Sequence, residues 1–195
     1  MKNKNEEVAN GAIQTVKKLY EILVLEAKEI AVFDCQKKLR SDIFDAPVCY
    51  EMYPSKNDLN SLRRKKGVYI FRVKNAQELT RDEIKKWNEE KGANFLPIYG
   101  GPASISFCAN DVLYIGSCYS ESLLVRMQEH YGDYKPGLQL NAAQRTVLRD
   151  NVRAYAFPIK KEYLQKDTLY AKIILPVIEK ELHILLHPKA GSTRT

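Results

Sequence analysis

Five polar side chains follow one another in an order that suits chemistry on a phosphate diester. Tyr69 lies in the apolar run GVYIFRV, and Tyr114 lies in the run DVLYIG. Arg126 and His130 follow four residues apart, so a helix would place both on one face. Glu179 comes later, in a mostly apolar stretch. Arginine can bind phosphate oxygens through a fork of donors, histidine can move a proton near neutral pH, and a carboxylate can hold a divalent cation.

Each of these side chains also has an ordinary structural explanation. A strand tyrosine can pack in the core, an arginine can lie on a helix surface, and a glutamate can face solvent. Glu179 has Leu175 and Leu182 as helical neighbours, so we expect it beside the buried stripe, where a carboxylate usually has a cationic partner. Glu181 is the alternative ligand.

The flanking residues predict an α+β fold with a small, mostly antiparallel three-stranded sheet flanked by helices. Residues 67–73 and 111–116 are rich in β-branched and aromatic side chains and predict an antiparallel pair of strands. Residues 152–158 predict a third strand beside them. Apolar periodicity and capping residues predict helices at 13–33, 80–91, about 122–131, about 141–150 and 168–187.

The predicted elements divide the chain into two parts. Residues 1–62 form an N-terminal helical extension with an irregular connector at 42–60, and residues 63–195 carry the candidate site, with an insertion at 74–110 between the two tyrosine runs. The first predicted helix has an apolar stripe that packs either within the chain, which we favour, or against a second copy. The stripe comprises Ile13, Val16, Tyr20, Leu23, Ala27 and Ile30.

The charge of the chain favours a polyanionic partner. The formal net charge is +7, from 31 Lys and Arg against 24 Asp and Glu. Four of the basic residues, Arg63, Arg64, Lys65 and Lys66, stand directly before the first tyrosine strand. We expect no membrane span and no secretory signal, and therefore a cytoplasmic protein, or a nuclear one in a eukaryote. The four cysteines have no metal-binding spacing, and we expect free thiols.

The ordered set GVY, YIG, Arg126 with His130, and a later glutamate resembles the GIY-YIG nuclease superfamily. The resemblance covers about residues 65–191, and Glu179 stands nine residues before Pro188, as expected of the family glutamate. The insertion at 74–110 is similar in layout to the restriction-endonuclease members that carry one between the two motifs. Gly191 stands where the family often has asparagine.

This resemblance implies a metal-dependent endonuclease that hydrolyses DNA phosphodiester bonds. Its catalytic residues would be Tyr69, Tyr114, Arg126, His130 and Glu179. Glu179 would hold one Mg²⁺ or Mn²⁺ ion, while Gly116 and the basic residues 63–66 would contact DNA. A homodimer through the N-terminal helix is one way to cut both strands. The alternative is a catalytically inactive nucleic-acid-binding module that retains the fold.

Overall fold

The computed structural model describes residues 4–33, 38–50, 59–74, 111–131, 151–165 and 168–188. The elements in chain order are α1 (Lys4–Ala31), β1 (Val48–Tyr50), β2 (Gly67–Val73), β3 (Val112–Cys118), α2 (Leu123–Tyr131), β4 (Val152–Pro158), α3 (Lys161–Gln165) and α4 (Thr168–Leu186). The predicted helices at 80–91 and 141–150, Gly191 and all but the first residue of the predicted insertion lie outside the described residues.

The strands form one antiparallel sheet in the order β1-β4-β2-β3, which confirms the α+β class and the antiparallel pairing of β2 with β3. The prediction of three strands is wrong, because the described residues already contribute four to this sheet. The additional strand, β1, lies within the segment expected to be an irregular connector. It pairs with the outer edge of β4, where Val48 faces Ala156 and Tyr50 faces Ala154.

Two hydrophobic cores cover the two faces of the sheet. On one face Tyr69 and Phe71 of β2 pack with Leu123 and Met127 of α2. On the other face the alternate β2 residue Ile70 joins buried side chains of α1 and α4. Strand β2 is therefore buried on both sides, and β3 is the outermost strand of the sheet as far as the described residues show.

Helix α1 begins at Lys4, earlier than the predicted start at residue 13. The C-terminal half of its apolar stripe, Leu23, Ala27 and Ile30, is buried, whereas Ile13 and Val16 are exposed. Only half of the stripe therefore packs within the described part of the chain. Helix α1 and strand β1 both belong to the stretch predicted as an extension, and both pack on the sheet domain. Within the described ranges, no helix is long and apolar enough to cross a membrane.

Candidate active site

The register between β2 and β3 places Tyr69 opposite Gly116 and Phe71 opposite Tyr114. The Tyr69 phenol lies directly across Gly116: a Cβ atom added there would stand 2.4 Å from the phenol oxygen and 2.5 Å from Cζ. Gly116 was expected to let the DNA backbone, or the adjoining turn, come close. The structure gives it a different neighbour, because the missing side chain makes room for the Tyr69 ring.

His130 joins this pair from helix α2. Its Nε2 atom lies 2.9 Å from the Tyr69 phenol oxygen. The Tyr114 ring stacks on Tyr69 at a centroid distance of 6.1 Å and lies 4.8 Å from the His130 ring. Three of the five residues singled out in the sequence therefore form one aromatic cluster between β2, β3 and α2.

The Tyr69 phenol is fully buried, and this determines its protonation state. Burial raises the pKa of Tyr69 well above its ordinary value; the neighbouring Tyr114 and the Glu179 carboxylate add to the increase, and Arg126 opposes it. Tyr69 is consequently a neutral phenol at physiological pH. It can donate a hydrogen bond, and it can act as a base only if its own proton passes to another group.

Arg126 connects this buried cluster to an open cleft. The guanidinium lies close enough to Tyr69 for the two groups to influence each other's pKa, it forms an ion pair with Glu129, and Glu121 lies 4.0 Å away. Desolvation alone would lower the pKa of Arg126, but the interactions with Tyr69 and Glu129 raise it above its ordinary value, so the side chain is always charged. The cleft has a volume of about 200 Å³ and is lined by Arg126 and by Ser117, Cys118, Tyr119, Ser120 and Glu121.

Glu179 reaches the end of β3 from the opposite face of the sheet. Ser117 follows Gly116 and therefore points to the α4 side, where its Oγ donates a hydrogen bond of 2.5 Å to Glu179 Oε2. Since Ser117 also lines the cleft, the carboxylate adjoins the same strand end as Arg126. Glu179 is 8% exposed. Four of the five residues thus approach from β2, β3 and α2, and the fifth approaches from α4.

Glu181, the alternative ligand, has a different environment. Its Oε1 accepts a hydrogen bond of 2.6 Å from the Tyr20 hydroxyl on α1. This contact joins α1 to α4 and accounts for the buried carboxylate. The structure therefore favours Glu179 over Glu181 as the residue beside the cleft.

The chemistry of Glu179 and Ser117 fits a divalent cation that needs few protein ligands. A carboxylate beside a hydroxyl offers hard oxygen donors, which Mg²⁺ prefers, and Mg²⁺ usually keeps several waters and binds substrate phosphate. Over the described ranges there is no group of three or more His, Cys, Asp or Glu residues suited to a metal. The Glu179 carboxylate is thus the charged metal ligand that these residues could provide.

The four basic residues before β2 divide into two pairs. Lys66 Nζ donates to the carbonyl oxygens of Ser120 and Glu121, each at 2.6 Å, and so holds the wall of the cleft in place. Lys65 Nζ lies 3.3 Å from Asp45 Oδ2. Arg63 and Arg64 are exposed. Lys66 therefore stabilises the cleft wall and Lys65 pairs with Asp45, whereas Arg63 and Arg64 are available to a polyanion.

Sequence reasoning missed Ser117, although strand alternation after Gly116 could have placed it on the α4 face. It also missed the ion pair of Arg126 with Glu129, which the helical spacing of three residues allows. Cys118 lines the cleft as a thiol, but burial raises its pKa to about 11. That thiol is therefore neutral and poorly nucleophilic at physiological pH.

No protein-family model matches the chain, and no curated protein or solved structure is significantly similar to it. Function must therefore be inferred from the residues and their geometry.

The contact between Gly116 and Tyr69 can be tested by Gly116→Ala. Gly116 does not have a positive φ, so alanine suits the backbone, but its Cβ would overlap the phenol, which has no solvent to move into. We expect a loss of about 1–3 kcal/mol in the free energy of unfolding, measured by urea denaturation. The control is Gly11→Ala in helix α1, where no atom lies within 4 Å of the new Cβ. That change should stabilise the protein by about 0.5–1 kcal/mol. Wild-type stability of Gly116→Ala would contradict the placement of the phenol.

Proposed function

We propose that the chain is a metal-dependent nuclease of the GIY-YIG class. The observation that supports this most is the convergence of Tyr69, His130 and Arg126 at the end of β3, to which Glu179 is joined through Ser117. A phenol, an imidazole, a guanidinium and a carboxylate together supply proton transfer, phosphate binding and a metal ligand.

Within that class, we propose a stand-alone DNA endonuclease of the restriction type. The segment 74–110 between the tyrosine runs is long enough to carry additional DNA contacts, as in family members with an insertion there. The net charge of +7 suits a polyanion. Cleavage of both strands would require two copies of the site or two successive cuts.

Arg126 would bind the scissile phosphate in the cleft. Its guanidinium is charged at all relevant pH values and lies between the buried phenol and the cleft. Phosphate oxygens would replace Glu121 and Glu129 as its anionic partners. The same donors then stabilise the additional negative charge that develops on the phosphoryl oxygens during attack by water.

Tyr69 and His130 would pass a proton from the attacking water. Within the described residues β3 is the outermost strand, and the phenol oxygen of Tyr69 lies across its Gly116. The oxygen of Tyr69 takes a proton from water while its own proton passes to His130 Nε2, 2.9 Å away. This relay avoids a free phenolate, which the raised pKa of Tyr69 disfavours.

Glu179 would hold the divalent cation. When bound, that ion supplies charge stabilisation and assistance to the leaving oxygen. Ser117 fixes the carboxylate by its hydrogen bond to Oε2, and the burial of Glu179 limits its movement. Tyr114 stacks on Tyr69 and contacts the tilted His130 ring, and it so keeps the two rings in position.

The complete burial of Tyr69 favours one alternative function. A fully buried phenol suits a packed core as well as a catalytic centre, as expected of a non-catalytic nucleic-acid-binding module with the same fold. Such a module would bind DNA through its exposed arginines without cutting it. Binding without cleavage is therefore the outcome that separates the two functions.

The test is cleavage of supercoiled plasmid by the purified chain with Mg²⁺, with Mn²⁺ or with EDTA. The proposal requires nicked or linear product that depends on the metal, and discrete bands would indicate sequence specificity. A mobility shift without cleavage would support the non-catalytic module. Cleavage of a structured RNA but not of any DNA would move the substrate class to RNA.

The exposed arginines give a separate prediction about binding. The double variant Arg63→Ala/Arg64→Ala should weaken DNA binding regardless of sequence, because both side chains are exposed and shortly precede the strand that carries Tyr69. If each contacts one phosphate, the slope of log K against log salt concentration should fall by about 2 in total. The control is Lys17→Ala/Lys18→Ala, an equal loss of charge from the exposed face of α1. Equal weakening by the two double variants would show that only net charge matters.

A further inference from the structure

We infer that Glu179 and His183 together form a divalent metal site with one oxygen and one nitrogen donor. This inference rests on the proposed metal role of Glu179 and adds a histidine ligand to that carboxylate. The two residues stand one turn apart on α4, and each is 8% exposed. His183 Nε2 lies 4.0 Å from Glu179 Oε1.

The separation of the two donor atoms suits a shared cation. An ion bonded to both atoms at about 2.1 Å in tetrahedral geometry would hold them about 3.4 Å apart. The observed distance of 4.0 Å reaches that value through a small rotation of either side chain. Residues four apart on a helix face the same way, so neither side chain has to change its direction.

Ser117 prepares the carboxylate for this arrangement. Its hydroxyl donates to Oε2 at 2.5 Å, and the other oxygen, Oε1, is the one nearer His183. Hydrogen bonds of this kind orient carboxylates that ligate metals. Ser117 also lines the cleft, so an ion held by Glu179 and His183 would adjoin the space proposed for the phosphate.

The nitrogen donor changes which ion the site should select. Mg²⁺ binds oxygen donors and takes little advantage of imidazole, whereas Co²⁺, Ni²⁺ and Zn²⁺ bind imidazole well. A site with Glu179 as its single protein ligand would discriminate among these ions no more than other hydrated carboxylate sites do. A site that includes His183 should prefer first-row transition ions to Mg²⁺ through that one side chain.

Co²⁺ is the probe for this site, because its visible absorption reports the ligand environment without any need for cleavage. The full chain is titrated with Co²⁺, followed by absorption and calorimetry, and separately with Mg²⁺ by calorimetry. His183→Leu should weaken Co²⁺ binding about 10- to 100-fold and change Mg²⁺ binding less than about twofold. Glu179→Gln should weaken binding of both ions.

His187→Leu is the matched control, since His187 is an exposed histidine just beyond the end of α4. It should leave Co²⁺ binding unchanged. Unchanged Co²⁺ affinity in His183→Leu, or an equal loss in His187→Leu, would overturn the inference. Should the leucine variant not fold, His183→Gln keeps a polar side chain and carries the same test.

The titration separates this inference from the proposed function. Co²⁺ bound through Glu179 and His183 by a chain that cuts no nucleic acid would uphold the metal site and reject the nuclease. Metal-dependent cleavage that requires Glu179, with Co²⁺ affinity indifferent to His183, would uphold the nuclease and reject the nitrogen ligand.

Discussion

Replacement of Glu179 by glutamine should lower the rate of plasmid cleavage at least about 1,000-fold and leave the fold intact. A metal ion at a reacting phosphate contributes several kcal/mol to transition-state stabilisation, and each 1.36 kcal/mol is about a factor of ten in rate. Glutamine retains an oxygen that can accept the Ser117 hydrogen bond, so the free energy of unfolding should change by less than about 1 kcal/mol. Single-turnover cleavage and urea denaturation measure the two quantities.

The matched control is Glu181→Gln, the same substitution on the same helix at the same 8% exposure. Its amide oxygen can still accept the hydrogen bond from Tyr20, so packing of α1 on α4 should survive. We expect cleavage within about threefold of wild type, since no interaction at the reacting phosphate is lost. If Glu181→Gln abolishes cleavage and Glu179→Gln does not, the two carboxylates have been assigned the wrong way round.

The parts of the site that the sequence predicts are those defined by local spacing. Arg126 and His130 share a face of α2 because they stand four residues apart. The two tyrosines lie together because their strands are adjacent and antiparallel. Each inference needs only the period of one element or the pairing of two, and both kinds of information are present in the residue pattern.

Contacts that depend on exact strand register or on tertiary packing were beyond sequence reasoning. Three-residue β1 is too short for alternation to be recognised, and only its pairing with β4 makes it a strand. The position of Tyr69 over Gly116 depends on a register that hydrophobic pattern leaves open. The hydrogen bond of Ser117 to Glu179 joins residues 62 positions apart, and nothing local to either residue indicates it.

The start of α1 illustrates a third reason for error. An apolar stripe reveals only the part of a helix that contains it, and the first residues of α1 are mostly polar. Even the stripe overstates burial, because Ile13 and Val16 remain exposed beyond the packed half of the helix. The amphipathic spacing therefore predicted the helix correctly, but it did not show how much of the stripe packs against the rest of the chain.

Arg126→Lys should reduce the rate of cleavage about 100- to 1,000-fold with little change in stability. Lysine keeps the positive charge but loses the planar fork that can bind two phosphate oxygens together. Removal of one such donor from a preorganised site typically has an effect of about this size on kcat. Its main structural partner, Glu129, lies on the same helix, and a pair of this kind contributes about 0.3–0.5 kcal/mol. The measurement is single-turnover cleavage at saturating DNA.

Arg72→Lys is the matched control, and it should lower stability rather than the rate of cleavage. Arg72 binds both carboxylate oxygens of Asp111, at 3.0 and 3.2 Å, and donates to the carbonyl oxygen of Ala31 at 2.9 Å. These contacts hold β2, β3 and α1 together away from the cleft, so the substitution should lower stability by about 1 kcal/mol and leave the cleavage rate of the folded protein unchanged. A rate loss confined to Arg126→Lys and a stability loss confined to Arg72→Lys would assign the two arginines to chemistry and to folding respectively. Equal rate losses would mean that Arg126 acts only through the fold, and the proposed contact with phosphate would then fail.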